Sequence, residues 1–191
     1  SLLDWPLLKD RLAAWLAAQP AACDVLIAGG GDLTDAIRRA QAIHRFDDDA
    51  AHWMCVQAQS LTAQMLAPLM QDAIVSHSLD EVSVARRSGT SILVFDPADY
   101  LRQLESYSPG TVLPHDWTAT TDSIAARLAA LTLATELVLL KSADPPAGAS
   151  LADLTAAGFV DQHFPVAAAE LPRVRLVNLR SDKHPEVTVS R

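Results

Sequence analysis

Three consecutive glycines, Gly29-Gly30-Gly31, stand where a short β-branched segment ends and a helical pattern begins. Open α/β sheets bind ligands at that position, because backbone N–H groups without side chains around them can approach an anion closely. The run matches neither the P-loop, since no Gly-Lys-Ser/Thr follows, nor the dinucleotide fingerprint, since Leu33 and Thr34 stand where its later glycine belongs. Two interpretations stay open: an anion-binding turn, or a tight turn without a ligand.

A second group of reactive residues lies in the segment 114–123, which combines hydroxyls, carboxylates, an imidazole and an indole before an Ala-rich helical pattern. Thr120 or Thr121 could cap that helix, and Asp122 could complement its dipole. Capping accounts for only two of these ten residues. The segment is therefore a candidate ligand-binding loop.

Lys141 ends an otherwise apolar strand-like run over 136–141. A lysine at the carboxyl edge of a buried parallel strand directs its ammonium toward the crevice where such sheets bind phosphates. The alternative is a lysine whose amine reaches solvent and binds nothing. Lys141 is therefore a candidate phosphate ligand.

His44, His52 and the aspartates at 47–49 suggest a metal site, but the spacing is poor. His-x7-His matches no tetrahedral zinc pattern, and we expect the three aspartates to be fully used at a helix start. The sequence predicts no protein-ligated metal. It also contains no Gly-x-Ser-x-Gly elbow, and neither Cys23 nor Cys55 has a cationic setting, which disfavours hydrolase chemistry.

The elements that must position these residues alternate along the chain between strand-like and helix-like apolar patterns. Acidic residues at 47–49 favour the start of the long helix. The pattern predicts an α/β fold with a mainly parallel sheet in a single domain over 1–191. Predicted strands cover 23–28, 73–76, 91–96, 136–141 and 174–178; predicted helices follow Pro6, resume from Leu33, and cover 50–70, 79–87, 97–105 and 120–131, with a further segment at 151–157 and a polar tail after 178.

The composition excludes several classes of protein. The 191 residues are 50% hydrophobic and 20% charged, which fits one globular domain. Fifteen basic against 23 acidic residues give a net charge of −8, which argues against nucleic-acid binding. Two cysteines indicate a reducing compartment, and we expect a cytoplasmic protein. No apolar stretch is long enough to span a bilayer and no secretory signal opens the chain, so no membrane partner is predicted.

Three motifs in order resemble the amino acid kinase superfamily, which includes aspartate, acetylglutamate and uridylate kinases. They are the glycine turn followed by Asp35 and Arg38, Thr-Thr-Asp-Ser-Ile-Ala at 120–125, and Leu-Leu-Lys-Ser-Ala-Asp at 139–144. The segments 49–54, 114–117 and 156–161 are most similar to the branch that phosphorylates an aminomethyl-furanmethyl phosphate in methanofuran biosynthesis. The resemblance covers about residues 1–178.

The resemblance implies an α/β/α three-layer sandwich whose amino-terminal half binds the acceptor and whose carboxy-terminal half binds ATP. Transfer of the γ-phosphoryl group would be direct, with Mg²⁺ arriving on ATP and held mainly by phosphate oxygens. Asp122 would orient charge-neutralising lysines, and Asp122 and Lys141 would be the catalytic pair. The resemblance further implies that these two residues and the glycine turn converge on one polyphosphate-binding cavity. Lys141, Ser142 and Asp144 would lie on the nucleotide side. The implied acceptor-side residues are Gly29, Gly30, Gly31, Asp35, Arg38, His52, His115, Trp117, Thr121 and Ser123.

The sequence departs from the family pattern at both ends. The family opens with a strand ending in Lys-x-Gly-Gly-Ser, whereas this chain begins at the Ser, so the first family strand and its lysine are absent from it. At the nucleotide end, Asp144-Pro145-Pro146 replaces Asp-Gly-Val-Tyr, and Asn178-Leu179-Arg180 replaces Asn-Gly. We expect impaired catalysis from such a chain, since one cation at a transferring phosphate is worth roughly 10³- to 10⁵-fold.

Two other functions stay open. The chain could be a non-catalytic subunit that binds a nucleotide or an anion, or a scaffold that dimerises through the helix at 50–70, whose apolar faces exceed the needs of one core contact. We expect a homo-oligomer in each case.

Overall fold

The computed structural model of the protein describes residues 2–20 and 22–189. Their strands are hydrogen-bonded in two sheets of three, and the chain divides into two compact units. Unit 1 contains 3–107 and 115–117, and unit 2 contains Leu2, 108–114 and the chain from 118 onward. The predicted single kinase-like domain with an acceptor half and a nucleotide half stays a prediction.

Unit 1 is built on a parallel sheet with strand order β1-β3-β2. Short 3₁₀ turns follow its longest helix, at 67–69, and its last helix, at 105–107. The elements are α1 (Leu8–Ala17), β1 (Asp24–Leu26), α2 (Gly31–His44), α3 (Asp48–Leu66), β2 (Ile74–Ser76), α4 (Leu79–Ser88), β3 (Ile92–Phe95) and α5 (Ala98–Gln103).

Local signals in the sequence set the ends of the helices in unit 1. The Asp47 carboxylate accepts the Ala50 N–H at 2.8 Å and so caps α3. Ser78 caps α4 through the Glu81 N–H, and Gly89 ends that helix with a φ of 77°, a left-handed conformation that favours glycine. Val94 and Phe95 of the central strand are fully buried. The predicted cap before the long helix is thus confirmed at Asp47.

Unit 2 contains a sheet of order β4-β5-β6, in which β4 and β5 are parallel and β6 is antiparallel to β5. Leu154, Phe164 and Leu176 are fully buried in its core. The elements are α6 (Thr121–Leu131), β4 (Leu137–Lys141), α7 (Leu151–Ala156), α8 (Phe164–Ala167), β5 (Val174–Asn178) and β6 (Glu186–Val189).

Only a polar tail was predicted after residue 178, and the strand β6, which pairs with β5 there, was missed. Its side chains alternate between exposed and half-buried, as in an edge strand with one face in solvent. All five predicted strands and the predicted helices are present, with bounds shifted by a few residues. The predicted α/β fold with mainly parallel strands is confirmed.

Within the residues that the structure describes, no helix is both long and apolar enough to cross a membrane.

Candidate functional site

The central feature of unit 2 is an ion pair at the carboxyl end of its parallel strands. Lys141 is the last residue of β4, in register with Asn178 at the end of β5, and Asp122 lies in the first turn of α6. The Lys141 Nζ lies 2.7 Å from Asp122 Oδ2 and 2.9 Å from Oδ1. The structure therefore brings together the two residues predicted to be catalytic.

Burial governs the electrostatics of this pair. The side chains of Lys141 and Asp122 are 21% and 18% exposed. Burial raises the pKa of the Asp122 carboxyl, and the nearby Lys141 ammonium opposes that rise. An ammonium has three N–H donors, of which the two Asp122 oxygens engage at most two. A third donor is left for another oxygen ligand.

Asp161 holds the start of α6 from a distant part of the sequence. Its Oδ2 accepts the Thr120 N–H at 2.8 Å, the Thr120 hydroxyl at 2.9 Å and the Ser123 N–H at 3.0 Å, and its Oδ1 accepts the Ser123 hydroxyl. Thr120 occupies the N-cap position, but its side chain accepts no amide of the helix. The alternative in which Thr120 caps the helix is therefore not observed: its hydroxyl donates to Asp161, whose carboxylate oxygens accept the helix amide instead.

The loop after β4 is fixed to the end of β5. Asn178 is buried, and its Nδ2 donates to Asp144 Oδ1 at 2.6 Å, while its own Oδ1 accepts the Arg180 N–H at 2.9 Å. Ser142 is exposed. Asp144, the residue at the predicted nucleotide loop, is therefore held in place by a side chain of the neighbouring strand.

In unit 1, the glycine run connects β1 to α2 as predicted. Gly31 begins α2 with a φ of 52°, a left-handed conformation in which a side chain would be strained. At Gly30, an added Cβ would lie 1.9 Å from the Thr34 hydroxyl, so a larger residue would displace that side chain. Close packing and backbone conformation account for these two glycines, and anion binding by the run stays a prediction.

A cluster of stacked rings lies on the side of α3 in unit 1. The imidazoles of His52 and His115 are stacked, with centroids 4.3 Å apart and planes 11° apart. Trp53 meets both rings edge-on at 5.0 Å. The His115 Nδ1 lies 2.7 Å from the Asp49 Oδ1. The expectation that Asp49 serves only the helix start was wrong, since its carboxylate also binds an imidazole from a segment 66 residues away.

The two imidazoles of this cluster differ in environment. Burial, with a further contribution from His115, lowers the pKa of His52 to about 4, so this ring is neutral at pH 7. The hydrogen bond with His115 lowers the pKa of the Asp49 carboxyl, which lies in solvent. The buried His52 ring of the cluster is therefore neutral, and the exposed Asp49 carboxylate carries a negative charge.

Two arginines stack on indole rings: Arg102 on Trp53 of the cluster and Arg38 on Trp117. The Arg38 guanidinium lies 4.3 Å from the ring centroid of Trp117 and also pairs with Asp35 at 3.0 Å. Arg102 lies 4.7 Å from the Trp53 ring centroid. The Trp117 indole N–H donates to the Gln41 side chain at 2.6 Å. Such cation–π contacts hold the guanidinium over the ring face.

The structure thus gathers most of the residues predicted for the acceptor side in unit 1. Thr121 and Ser123 lie in unit 2; Ser123 is fully buried, and its predicted role with the acceptor stays a prediction. The convergence of the glycine turn with Asp122 and Lys141 also stays a prediction.

Several residues of these sites were missed in the sequence analysis. Three of them lie in the motif segments 49–54 and 156–161, but the spacing of the residues indicated no partner for any of them. The missed residues are Gln41, Asp49, Trp53, Arg102 and Asp161.

A buried carboxylate was also missed at the carboxyl end of β3. Asp96 is 5% exposed, and its Oδ1 accepts the Ser60 hydroxyl at 2.7 Å and the Ala98 N–H at 3.0 Å. Its Oδ2 lies 3.6 Å from the His77 Nδ1. Because β1 and β3 are parallel neighbours, Asp96 and the glycine turn follow strand ends at the same edge of the sheet.

A comparison with solved structures places this arrangement among known folds. The crystal structure of uridylate kinase from Archaeoglobus fulgidus matches with a TM-score of 0.58 and 14% sequence identity, over 89% of this chain and 80% of that chain. The chain is similar in fold to a uridylate kinase. No family model and no curated protein matches it. The likeness to uridylate kinase confirms the expected fold, whereas membership of the amino acid kinase superfamily and of its methanofuran branch stays a prediction.

Proposed function

We propose that the protein is a kinase-like phosphotransferase that binds ATP in unit 2 and transfers its γ-phosphoryl group to a small acceptor bearing a phosphate or a carboxylate. The observation that carries the proposal is the largely buried Lys141–Asp122 pair at the carboxyl end of β4. Parallel α/β sheets bind their ligands at that end of the strands. The likeness in fold to a uridylate kinase supports the same assignment.

Lys141 is the residue that would contact the phosphates. Asp122 holds its amine at 2.7 and 2.9 Å, which fixes the direction of the ammonium and leaves one N–H donor for a phosphate oxygen. Phosphoryl transfer depends mainly on position and on stabilisation of the charge that spreads over the phosphoryl oxygens. A preorganised ammonium in a site partly shielded from water supplies that stabilisation.

The loop after β4 fits a nucleotide bound beside Lys141. Ser142 is exposed and offers a hydroxyl, and Asn178 fixes Asp144 at the end of the neighbouring strand. The described residues contain no cluster of three side chains suited to hold a metal ion. In the proposed reaction ATP supplies the phosphoryl group, and Mg²⁺ would arrive on ATP and be held mainly by phosphate oxygens.

The acceptor would bind in unit 1, at the glycine turn and the ring cluster. The imidazole of His52 is neutral at pH 7, and the stacked rings offer flat apolar surfaces. Arg38, over the Trp117 ring, offers a cation for an acidic group. We propose an acceptor with a flat ring and an anionic substituent, and a methanofuran-type precursor is one candidate.

The proposal is tested by measuring ADP release from MgATP with single acceptors: a furan phosphate, a nucleoside monophosphate and an acidic amino acid. We expect one acceptor to stimulate release, and Lys141→Ala to reduce the rate at least about 10²-fold because the phosphate loses its cation. Lys183→Ala is the control, since Lys183 is an exposed lysine in unit 2. Its rate should match that of the unmodified chain.

Two results would contradict the proposal in different ways. Binding of MgATP without any acceptor-dependent ADP release would identify a non-catalytic nucleotide-binding subunit. Absence of MgATP binding would remove the kinase-like function altogether.

Self-association is the second part of the proposal. Leu61 and Met65 lie one turn apart on α3, and their side chains are 54% and 53% exposed. Adjacent exposed apolar residues on a long helix support the dimeric arrangement that the sequence suggested.

A further inference from the structure

In unit 2, the N-termini of α6 and α7 each hydrogen-bond to an aspartate, and the two aspartates act differently. In α7, Ser150 and Asp153 form a capping box, in which each side chain binds the other's backbone N–H within one helical turn. In α6, the capping carboxylate belongs to Asp161, which lies 38 to 41 residues along the chain from its partners. A local cap would satisfy the same helix amides, so the distant carboxylate requires a further explanation.

The contacts of Asp161 surround a single residue. Thr120 and Ser123, whose N–H and hydroxyl groups it binds, flank Asp122 in the first turn of α6. The backbone N–H of Asp161 also donates to the Asp122 carboxylate. Asp161 therefore fixes both the backbone around Asp122 and the carboxylate itself.

The same contacts reach Lys141 through Asp122. The Lys141 ammonium is directed by the two oxygens of Asp122, so a rotation of that carboxylate would redirect the amine. The negative charge of Asp161 also repels that of Asp122 and raises the pKa of the Asp122 carboxyl. The charged form of Asp122 therefore depends more strongly on the Lys141 ammonium.

We infer that Asp161 is a positioning residue: it holds Asp122, and through Asp122 the Lys141 amine, in the orientation that a nucleotide phosphate requires. The inference rests on the proposed function for its catalytic meaning. Its structural content, the hold of Asp161 on the Lys141 ammonium, can be measured without any substrate.

The test uses the side-chain nitrogen signals of lysine in the ¹⁵N-labelled full chain. The sequence has three lysines, of which Lys9 and Lys183 are exposed, and Lys141→Arg assigns the third signal. Protons of an ammonium held in a shielded ion pair exchange with water more slowly than those of a free one. In Asp161→Asn, which loses one acceptor oxygen and the charge, we expect the Lys141 signal to move toward those of the exposed lysines.

Asp153→Asn is the matched control, because it weakens the cap of α7 by the same chemical change. It should weaken the local cap of α7 and leave the Lys141 signal in place. If Asp161→Asn does not fold, the double variant Thr120→Val with Ser123→Ala removes two of the four hydrogen bonds and should move the same signal. An unchanged Lys141 signal in the folded variant would overturn the inference.

Turnover separates this inference from the proposed function. With an active chain, we expect Asp161→Asn to lower kcat by about 10²-fold while the KM for ATP changes little, since misplacement of a catalytic group acts on the transition state. Equal kcat values would refute a catalytic positioning role. If the unmodified chain releases no ADP but the Lys141 signal still responds to Asp161→Asn, the proposed function fails and the structural hold of Asp161 is demonstrated.

Discussion

The two units handle buried polar groups in opposite ways. Unit 2 keeps two full charges together, with Lys141 and Asp122 joined at 2.7 Å and each about one-fifth exposed. Unit 1 keeps the buried His52 imidazole neutral at pH 7, since burial lowers its pKa to about 4, and leaves the charge of Asp49 in solvent. A fixed ammonium suits a polyanion such as a nucleotide phosphate. A neutral imidazole stacked on a second ring suits a flat organic group, as the proposed acceptor requires.

The largest difference between the units should appear when one member of each ion pair is removed. Asp122→Ala leaves the Lys141 ammonium shielded from water without a counter-charge, which should cost about 3 kcal/mol of unfolding free energy. Asp35→Ala breaks the exposed Arg38 pair of unit 1 and should cost less than about 1 kcal/mol. Urea denaturation of the two variants measures both values.

A double variant sharpens this comparison. Asp122→Leu combined with Lys141→Met removes both charges and should recover most of the lost stability, because apolar residues often replace a buried ion pair at no net cost. A loss for Asp122→Ala as small as that for Asp35→Ala would contradict the account of a shielded pair.

A smaller effect is expected for the pH dependence of unit 1. The folded-state pKa of His52, about 4, lies below the value of about 6.5 for a free imidazole, so folding favours the neutral ring. The contribution of the neutral His52 ring to the free energy of unfolding is complete above about pH 6.5 and is lost as the pH falls toward 4. Between pH 7 and pH 5, unfolding free energy should fall by about 2 kcal/mol through this ring alone.

The charges of His115, Asp49 and Asp116 all influence the pKa of His52. The contribution of His52 to the pH dependence of stability is therefore measured by comparing the unmodified chain with variants. His52→Gln should remove about 2 kcal/mol of the pH dependence measured by urea denaturation. His44→Gln, which removes an exposed ring of α2, should leave the dependence as it is. Parallel pH profiles for the unmodified chain and His52→Gln would show that His52 is not protected from protonation.

The local elements were predictable from the sequence because their signals are local. Apolar periodicity gave the strands and helices, and Asp47 gave the start of α3. The edge strand β6 was missed because its alternation of polar residues and valines extends over only four residues, which is too short a pattern to distinguish from a polar tail. Nothing in the spacing of the strands indicated that they hydrogen-bond as two separate groups of three.

The candidate sites were predictable only where a motif marked them. Lys141 at a strand end and Asp122 at a helix start were found from their positions, and their direct contact followed from the family resemblance rather than from spacing. The bond between His115 and Asp49 and the four bonds to Asp161 join residues 38 to 66 positions apart. Such pairs depend on how elements pack, which periodicity within a single segment does not report.

The central claim is that Lys141 binds a phosphate of ATP, and calorimetric titration with MgATP tests it most directly. We predict a single binding event for the unmodified chain, and an affinity for Lys141→Ala at least tenfold lower, which corresponds to about 1.4 kcal/mol. The exposed-lysine variant Lys183→Ala should bind as the unmodified chain does. Equal affinities for the unmodified chain and Lys141→Ala would contradict the claim.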